Sequence, residues 1–523
     1  MNGLRFRIFL QIRCSPIPKL CPWRQHSDVS LVRLGDPDNA HGMQHISRLA
    51  RPPCSGPALF RAARAKSLFL LVALAATFSA GAAINETSFT ACSLLGGSND
   101  AVRGARIQSD GAIVLSANVA AGPLLQSVGG AKGGIIIRLA PGGGKVLGAT
   151  RVAAEVRDLA IDAQDNIFVA LGRDGAVKLD RNASKELWRK DTGGLCARLD
   201  AGTDGTCAVL NYENDSDTAT GAGTVLVLAP DGRQVGTFKG RPNTIDVAVD
   251  GASRTILMIG FRQANAFDGR RREPVQIAHL TGRGYDGTEK YHLYDWSVDT
   301  NAPGFINKPE NNMADTRGYR CAIGADAKLY AAFECAGGNH IFRYEPRLVN
   351  GQWVGAKDKK AKGDQYHAFH NSRAEHKTYV ARFDPGSGEF LRGQEFTARL
   401  PSGRANAVRV KGGAVAAGID GAVYLGGTSA SGLPVTFTPP GTGDYAGGGF
   451  VLGLTPALDG RLFCVRLQAG AESHAMDVRQ IGDKTVVVCG GTTSAKAEPF
   501  WTKNAVQSEA PPKAGFFAVF AID

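Results

Sequence analysis

The sequence is poor in the features that mark most catalytic or membrane-spanning chains. It has 5 methionines, 5 tryptophans and only 8% aromatic residues in 523. No C-x-x-C or C-x-x-C-H occurs, which argues against a zinc ribbon, a redox dithiol or attached haem. No G-x-G-x-x-G follows a strand and opens a helix, and no sialidase-like S-x-D-x-G-x-T-W box is present, so dinucleotide binding and sugar hydrolysis have no textual basis. The longest apolar run, Leu68 to Ala80, is 13 residues, short of the roughly 20 that a spanning helix needs.

That run has a positive flank (Arg61, Arg64, Lys66) and is followed by Ala80, Gly81 and Ala82. A basic flank, a short apolar core and small residues at the end predict a secretory signal cut after Ala82. Residues 1–82 are therefore expected to be leader and signal peptide, with the upstream part disordered. Met43 offers a later start. The leader also holds 11 of the 60 Lys and Arg and 3 of the 48 Asp and Glu, leaving a surplus of only four positive charges beyond it. Most of the +12 net charge thus belongs to the leader, and no nucleic acid is expected as a partner. The expected address is secreted, periplasmic or cell-surface, with no transmembrane span after signal cleavage.

What the chain has in abundance is glycine, 66 residues, together with 24 prolines. Such a composition suits many short strands and tight turns. One weak unit recurs: an alternating strand, an Asp-Gly-like turn, then a β-branched strand. It reads at Asp110-Gly111, Asp165-Asn166, Asp204-Gly205, Asp250-Gly251, Asp326, Asp420-Gly421 and Asp483, seven times. Asp, Asn and Gly recur there because tight hairpins need residues that accept φ > 0. A third strand follows in Ile135-Ile136-Ile137, Val225 to Leu228, Tyr379 to Phe383, Phe450 to Leu454 and Phe516 to Phe520.

Successive first turns lie 55, 39, 46, 76, 94 and 63 residues apart. A stacked solenoid needs uniform rungs, whereas a propeller tolerates loops of variable length at its blade ends. The expectation is an all-β β-propeller over residues 83–523, as one domain of seven four-stranded blades. The chain stops after the third strand of the last unit, and Thr87 to Leu95 looks like an outer strand with no blade before it. Their pairing would close the ring and hide two free edges.

The last two units resemble the bacterial SBBP-type β-propeller repeat. The residues carrying the likeness are Asp420, Gly421, Gly426, Gly427, Thr428, Ser429, Pro434 and Gly447 to Phe450, then Gly490, Gly491, Thr492, Thr493, Ser494, Pro499, Gly515 and Phe516. The likeness covers roughly residues 404–523 and 88–118 and fades between them. It implies a secreted or surface-attached protein, with no single activity and no catalytic residues to transfer.

Two candidate sites stand out. Residues 299–377 lengthen the fifth blade and read as one or two long loops. They concentrate His340, His367, His370, Glu375 and His376. His367 and His370 are three apart, which on a helical turn puts both imidazoles on one face, with Glu375 or His376 completing a metal or general-base set. Local hydrogen bonding is the alternative. Cys196 and Cys207 flank the turn at Ala201 to Gly205, where a cross-strand disulfide fits if their Cα atoms approach within about 7 Å. Buried, inert thiols are the alternative there. The Gly-Gly pairs at 426 and 490 read as close backbone approach. Asp295-Trp296 is a WD dipeptide that occurs once, where a WD40 protein would repeat it.

The leading functional expectation is a binding or scaffold module for an extracellular glycan, polymer or protein. The alternative is an exported hydrolase or lyase using His340, His367, His370 and His376 as metal ligands or general base. The balance falls against catalysis. No organic cofactor is expected, and a divalent metal is the one cofactor left open.

Overall fold

The computed structural model describes residues 84–523 apart from 216–220, 268–271, 297–313, 338–340, 344–345, 347, 350–351, 354–360, 364–375, 445, 469 and 496–498. Every first turn read from the sequence lies between the two innermost strands of a blade. Asp110, Asp204, Asp326 and Asp420 each accept the amide of the residue two positions on, which folds the chain back in a tight Asx turn.

Seven sheets result, each with four antiparallel strands; five of them are ordered strictly in sequence from the inside out, and together the seven form a seven-bladed β-propeller. The innermost strands of blades one to seven are Ala101–Ile107, Asp158–Ile161, Leu195–Ala201, Thr244–Asp250, Thr316–Ile323, Val408–Ala417 and Glu472–Ile481. Blade seven takes its outer strand from the other end of the chain. Phe89–Leu95 pairs antiparallel with Gly515–Ile522, Cys92 opposite Ala518 and Leu94 opposite Phe516, so the ring closes as expected. The expected start at Thr87 is trimmed, because Glu86–Ser88 form a 3-10 turn capped by Asn85.

Each blade is covered on both faces by its neighbours, so middle strands need not alternate. Ile135, Ile136 and Ile137 are all fully buried, as the run of three isoleucines requires. Outer strands such as Gln234–Lys239 do alternate, between exposed and half-buried positions. The core is correspondingly divided into seven clusters, one at each blade interface. Val114 and Ile136 pack on Leu159 and Val169 between blades one and two, and Val488 and Val519 pack on Val102 and Ile137 between blades seven and one. Each fully buried side chain of this kind is worth about 1.5–3 kcal/mol.

The Gly-Gly pairs mark close approach, as their sequence suggested. A Cβ at Gly490 would come within 2.5 Å of Val102 on the next blade, and one at Gly426 within 2.5 Å of Ser473.

The long fifth unit is more than loops. Two of its segments, Thr316–Ile323 and Leu329–Ala336, are the inner strands of blade five. A third, Ala361–Gly363, pairs parallel to Phe390–Phe396 and gives that blade a fifth strand. The added strand pairs the outer edge of Phe390–Phe396, which would otherwise carry unpaired backbone groups.

Candidate functional site

The seven innermost strands surround a central channel of about 470 Å³, lined by residues from every blade. An innermost strand is bonded on one side only, and the edge it turns to the channel carries unpaired backbone groups. Charged side chains of the neighbouring blades answer them. Asp158 of blade two accepts the Leu199 amide of blade three at 3.2 Å, and Asp200 of blade three accepts the Val249 amide of blade four at 2.9 Å. Asp246 of blade four accepts the Cys321 amide of blade five at 3.1 Å, and Asp477 of blade seven accepts the Ile107 amide of blade one at 2.7 Å. Each carboxylate thus ties its blade to the next.

Arginines do the same for carbonyls. Arg320 donates to Gly413 O at 2.6 Å and to Tyr319 O at 3.1 Å, and Arg479 donates to Ile107 O at 3.0 Å. Arg198 lies between Asp158 at 3.6 Å and Asp246 at 3.8 Å. Burial works against its charge, but these two carboxylates hold the guanidinium above its ordinary value. On blades two to five the wall therefore alternates Asp158, Arg198, Asp246, Arg320.

Burial has the upper hand at Asp200, whose carboxyl is pushed up to about 7 despite Arg106 and the Val249 amide. Burial also raises Asp246 and Asp477. It lowers Arg320 to about 10, with the like charge of Arg198 adding to the effect.

Arg103 sits at a slip in register that recurs in blades three, four, five and seven, at Ala197, Ile245, Tyr319 and His474. The register between the first two strands of blade one slips between Val102 and Gly104, so Arg103 is the extra residue of a β-bulge. A bulge re-aims its side chain. Arg103 lines the channel, is exposed there, and makes no hydrogen bond or ion pair among the described residues. The equivalent slip in blade seven places His474 beside it. That imidazole is tied to Gly412 O at 3.0 Å, and burial lowers its pKa.

Of the histidine set, His340, His367, His370 and Glu375 lie outside the described residues. His376 opens the third strand of blade five, with its Nδ1 3.6 Å from Oε2 of the fully buried Glu334. Next to it, Lys377 and Glu395 form a fully buried ion pair at 3.3 Å, with the Cys335 thiol 3.5 Å from Glu395. Among the described residues, no group of three or more His, Cys, Asp or Glu side chains is arranged to hold a metal ion.

The expected disulfide is not formed. Cys196 and Cys207 are free, buried thiols. Register explains this: Cys196 lies opposite Asn211, four positions along the strand from Cys207, and Cys207 lies opposite Ala201. Four positions of strand span about 13 Å, beyond the reach of a disulfide.

Asp295 and Trp296 form a local clamp. Asp295 receives Arg241 at 3.0 Å and also bonds Arg262, with His292 Nε2 at 3.1 Å. Burial opposes its charge, but His292 and Arg262 hold the carboxyl down at about 2.

No family model matches the chain, and no curated protein matches it. Solved structures that resemble it include ADHIIG, a quinohemoprotein alcohol dehydrogenase of Pseudomonas putida HK5, at 10% identity and a TM-score of 0.37, over 82% of this chain and 76% of that one. U3-55K is similar at 11% identity and a TM-score of 0.44, over 82% and 98%.

The channel wall escaped the sequence reading. Asp158, Arg198 and Arg320 look like ordinary polar positions of alternating strands. Their only sequence signal is that the charges fall in the opening strand of each unit.

Proposed function

We propose that the chain is an exported binding or scaffold module that presents the mouth of its central channel to an extracellular glycan, polymer or protein. The observation that carries this reading is the division of labour in the channel wall. Asp158, Asp200, Asp246 and Asp477 are committed to neighbouring backbone, while Arg103 faces the cavity uncommitted. The wall is thus rigid, and one cation is left for a ligand. The SBBP-type likeness of residues 404–523 and the signal-like segment before Ala82 support export.

The test is retention of the folded protein on immobilised acidic and neutral polysaccharides and on peptidoglycan. Binding to at least one supports the reading, and retention on none contradicts it. N-terminal sequencing of secreted material tests the cut after Ala82.

The alternative, a hydrolase or lyase, is favoured by one observation: His376 stands beside the buried Glu334. Stoichiometric metal in the purified protein, lost on His376→Ala, would support it over the binding reading.

A further inference from the structure

The arginines of the channel are unequally satisfied. Arg320 spends two donors on carbonyls, and Arg198 sits between two carboxylates. Arg103 has neither kind of partner. Two acids act on it at longer range: Glu155, which binds Arg157 at 2.7 Å, and Glu472, which is exposed to solvent. Desolvation, followed by the like charges of Arg198 and Arg157, lowers the Arg103 guanidinium against a smaller opposing pull from Glu155 and Glu472. A bound anion would relieve that repulsion.

Shape and chemistry narrow the ligand. A cavity of about 470 Å³ is of the size that takes small molecules rather than a folded partner. A guanidinium offers parallel donors that match the two oxygens of a carboxylate. The four channel aspartates already hold backbone amides of neighbouring blades, and none of them forms an ion pair with Arg103 among the described residues.

We propose that the channel mouth binds the carboxylate of a small organic acid or of an acidic chain end, with Arg103 as the anchoring cation and Arg198 and Arg320 supplying the surrounding positive field. This rests on the reading of the channel as the binding site of the module. It adds that the ligand is anionic and that Arg103 supplies the cation.

The test is calorimetric titration of the folded protein with D-glucuronate, inorganic phosphate and D-glucose, repeated with Arg103→Gln and Arg103→Lys. Thermal melts confirm that both variants keep the native fold. Glucuronate is expected to bind where glucose does not. Arg103→Gln should weaken it by roughly 10- to 100-fold, the worth of a charged hydrogen-bonded contact, and Arg103→Lys by less.

Equal binding of glucuronate and glucose would overturn the proposal, as would unchanged affinity in Arg103→Gln. Phosphate binding more tightly than glucuronate would overturn the carboxylate assignment. If polymers retain wild type and Arg103→Gln equally, the anion site falls and the binding-module reading stands. If glucuronate binds through Arg103 but no polymer is retained, the anion site stands without that reading.

Discussion

Single charged residues in this propeller do opposite things with the same chemistry. Asp295 is held low at about 2 by His292 and Arg262. A carboxylate whose folded pKa lies below its unfolded value of about 3.9 adds stability above that pH and loses it as the pH falls towards the folded value. Asp295→Asn, which leaves Arg241 and Arg262 without their anion, should cost about 3 kcal/mol at pH 7 in urea unfolding, and much less at pH 2. Equal cost at both would mean the clamp is not ionic.

Asp200 runs the other way, since burial lifts its carboxyl to about 7. Its contribution is present below about 4 and is lost as the pH rises through 7. Between pH 5 and pH 8, Asp200→Asn should gain about 1–3 kcal/mol relative to wild type. A constant difference would contradict the assignment.

The seven described cysteines are buried and free, and burial pushes thiols such as Cys489 up to about 12. Native protein should therefore react slowly with a thiol reagent. Protein unfolded without reductant should show the thiols of Cys196 and Cys207 free, and their recovery as a linked pair would restore the disulfide.

Among the elements, the outer strand of blade seven bears most on closure. Phe89 packs at 5.2–5.3 Å from the rings of Phe437, Trp501 and Phe520 and is 3% exposed. Phe89→Ala should cost about 3–5 kcal/mol. Deleting residues 84–95 should be worse, because it bares the edge of Gly515–Ile522 as well as the core beneath. A deleted chain that melts cooperatively at the wild-type temperature would contradict closure by this strand.

This strand was legible because a lone outer strand at one end and a missing one at the other are both local facts. So were the seven turns, since backbone geometry forces Asp, Asn or Gly at particular positions. The bulge at Arg103 was not legible, because a one-residue slip in register leaves no mark on composition. The failed disulfide has the same origin: spacing brought Cys196 and Cys207 to one hairpin, and register then set them four positions apart.

At the scale of the whole molecule, the ring makes a site from residues far apart in sequence. Asp477 meets the Ile107 amide across 370 positions, and no reading of one unit could anticipate it. Closure turns seven strand edges inward, and an inward edge needs partners. Those partners are charged because carboxylates and guanidinia reach across a blade interface to backbone. The channel is polar for a structural reason first, and Arg103 is the remainder.

Backbone hydrogen exchange at the amides of Ile107, Leu199, Val249 and Cys321 tests this account most directly. All four lie on strand edges with no neighbouring strand, and protection here comes from Asp477, Asp158, Asp200 and Asp246. Exchange at these four should be as slow as that of amides inside the sheets, with Asp246→Ala releasing Cys321 alone. Fast exchange at all four in the native protein would contradict it.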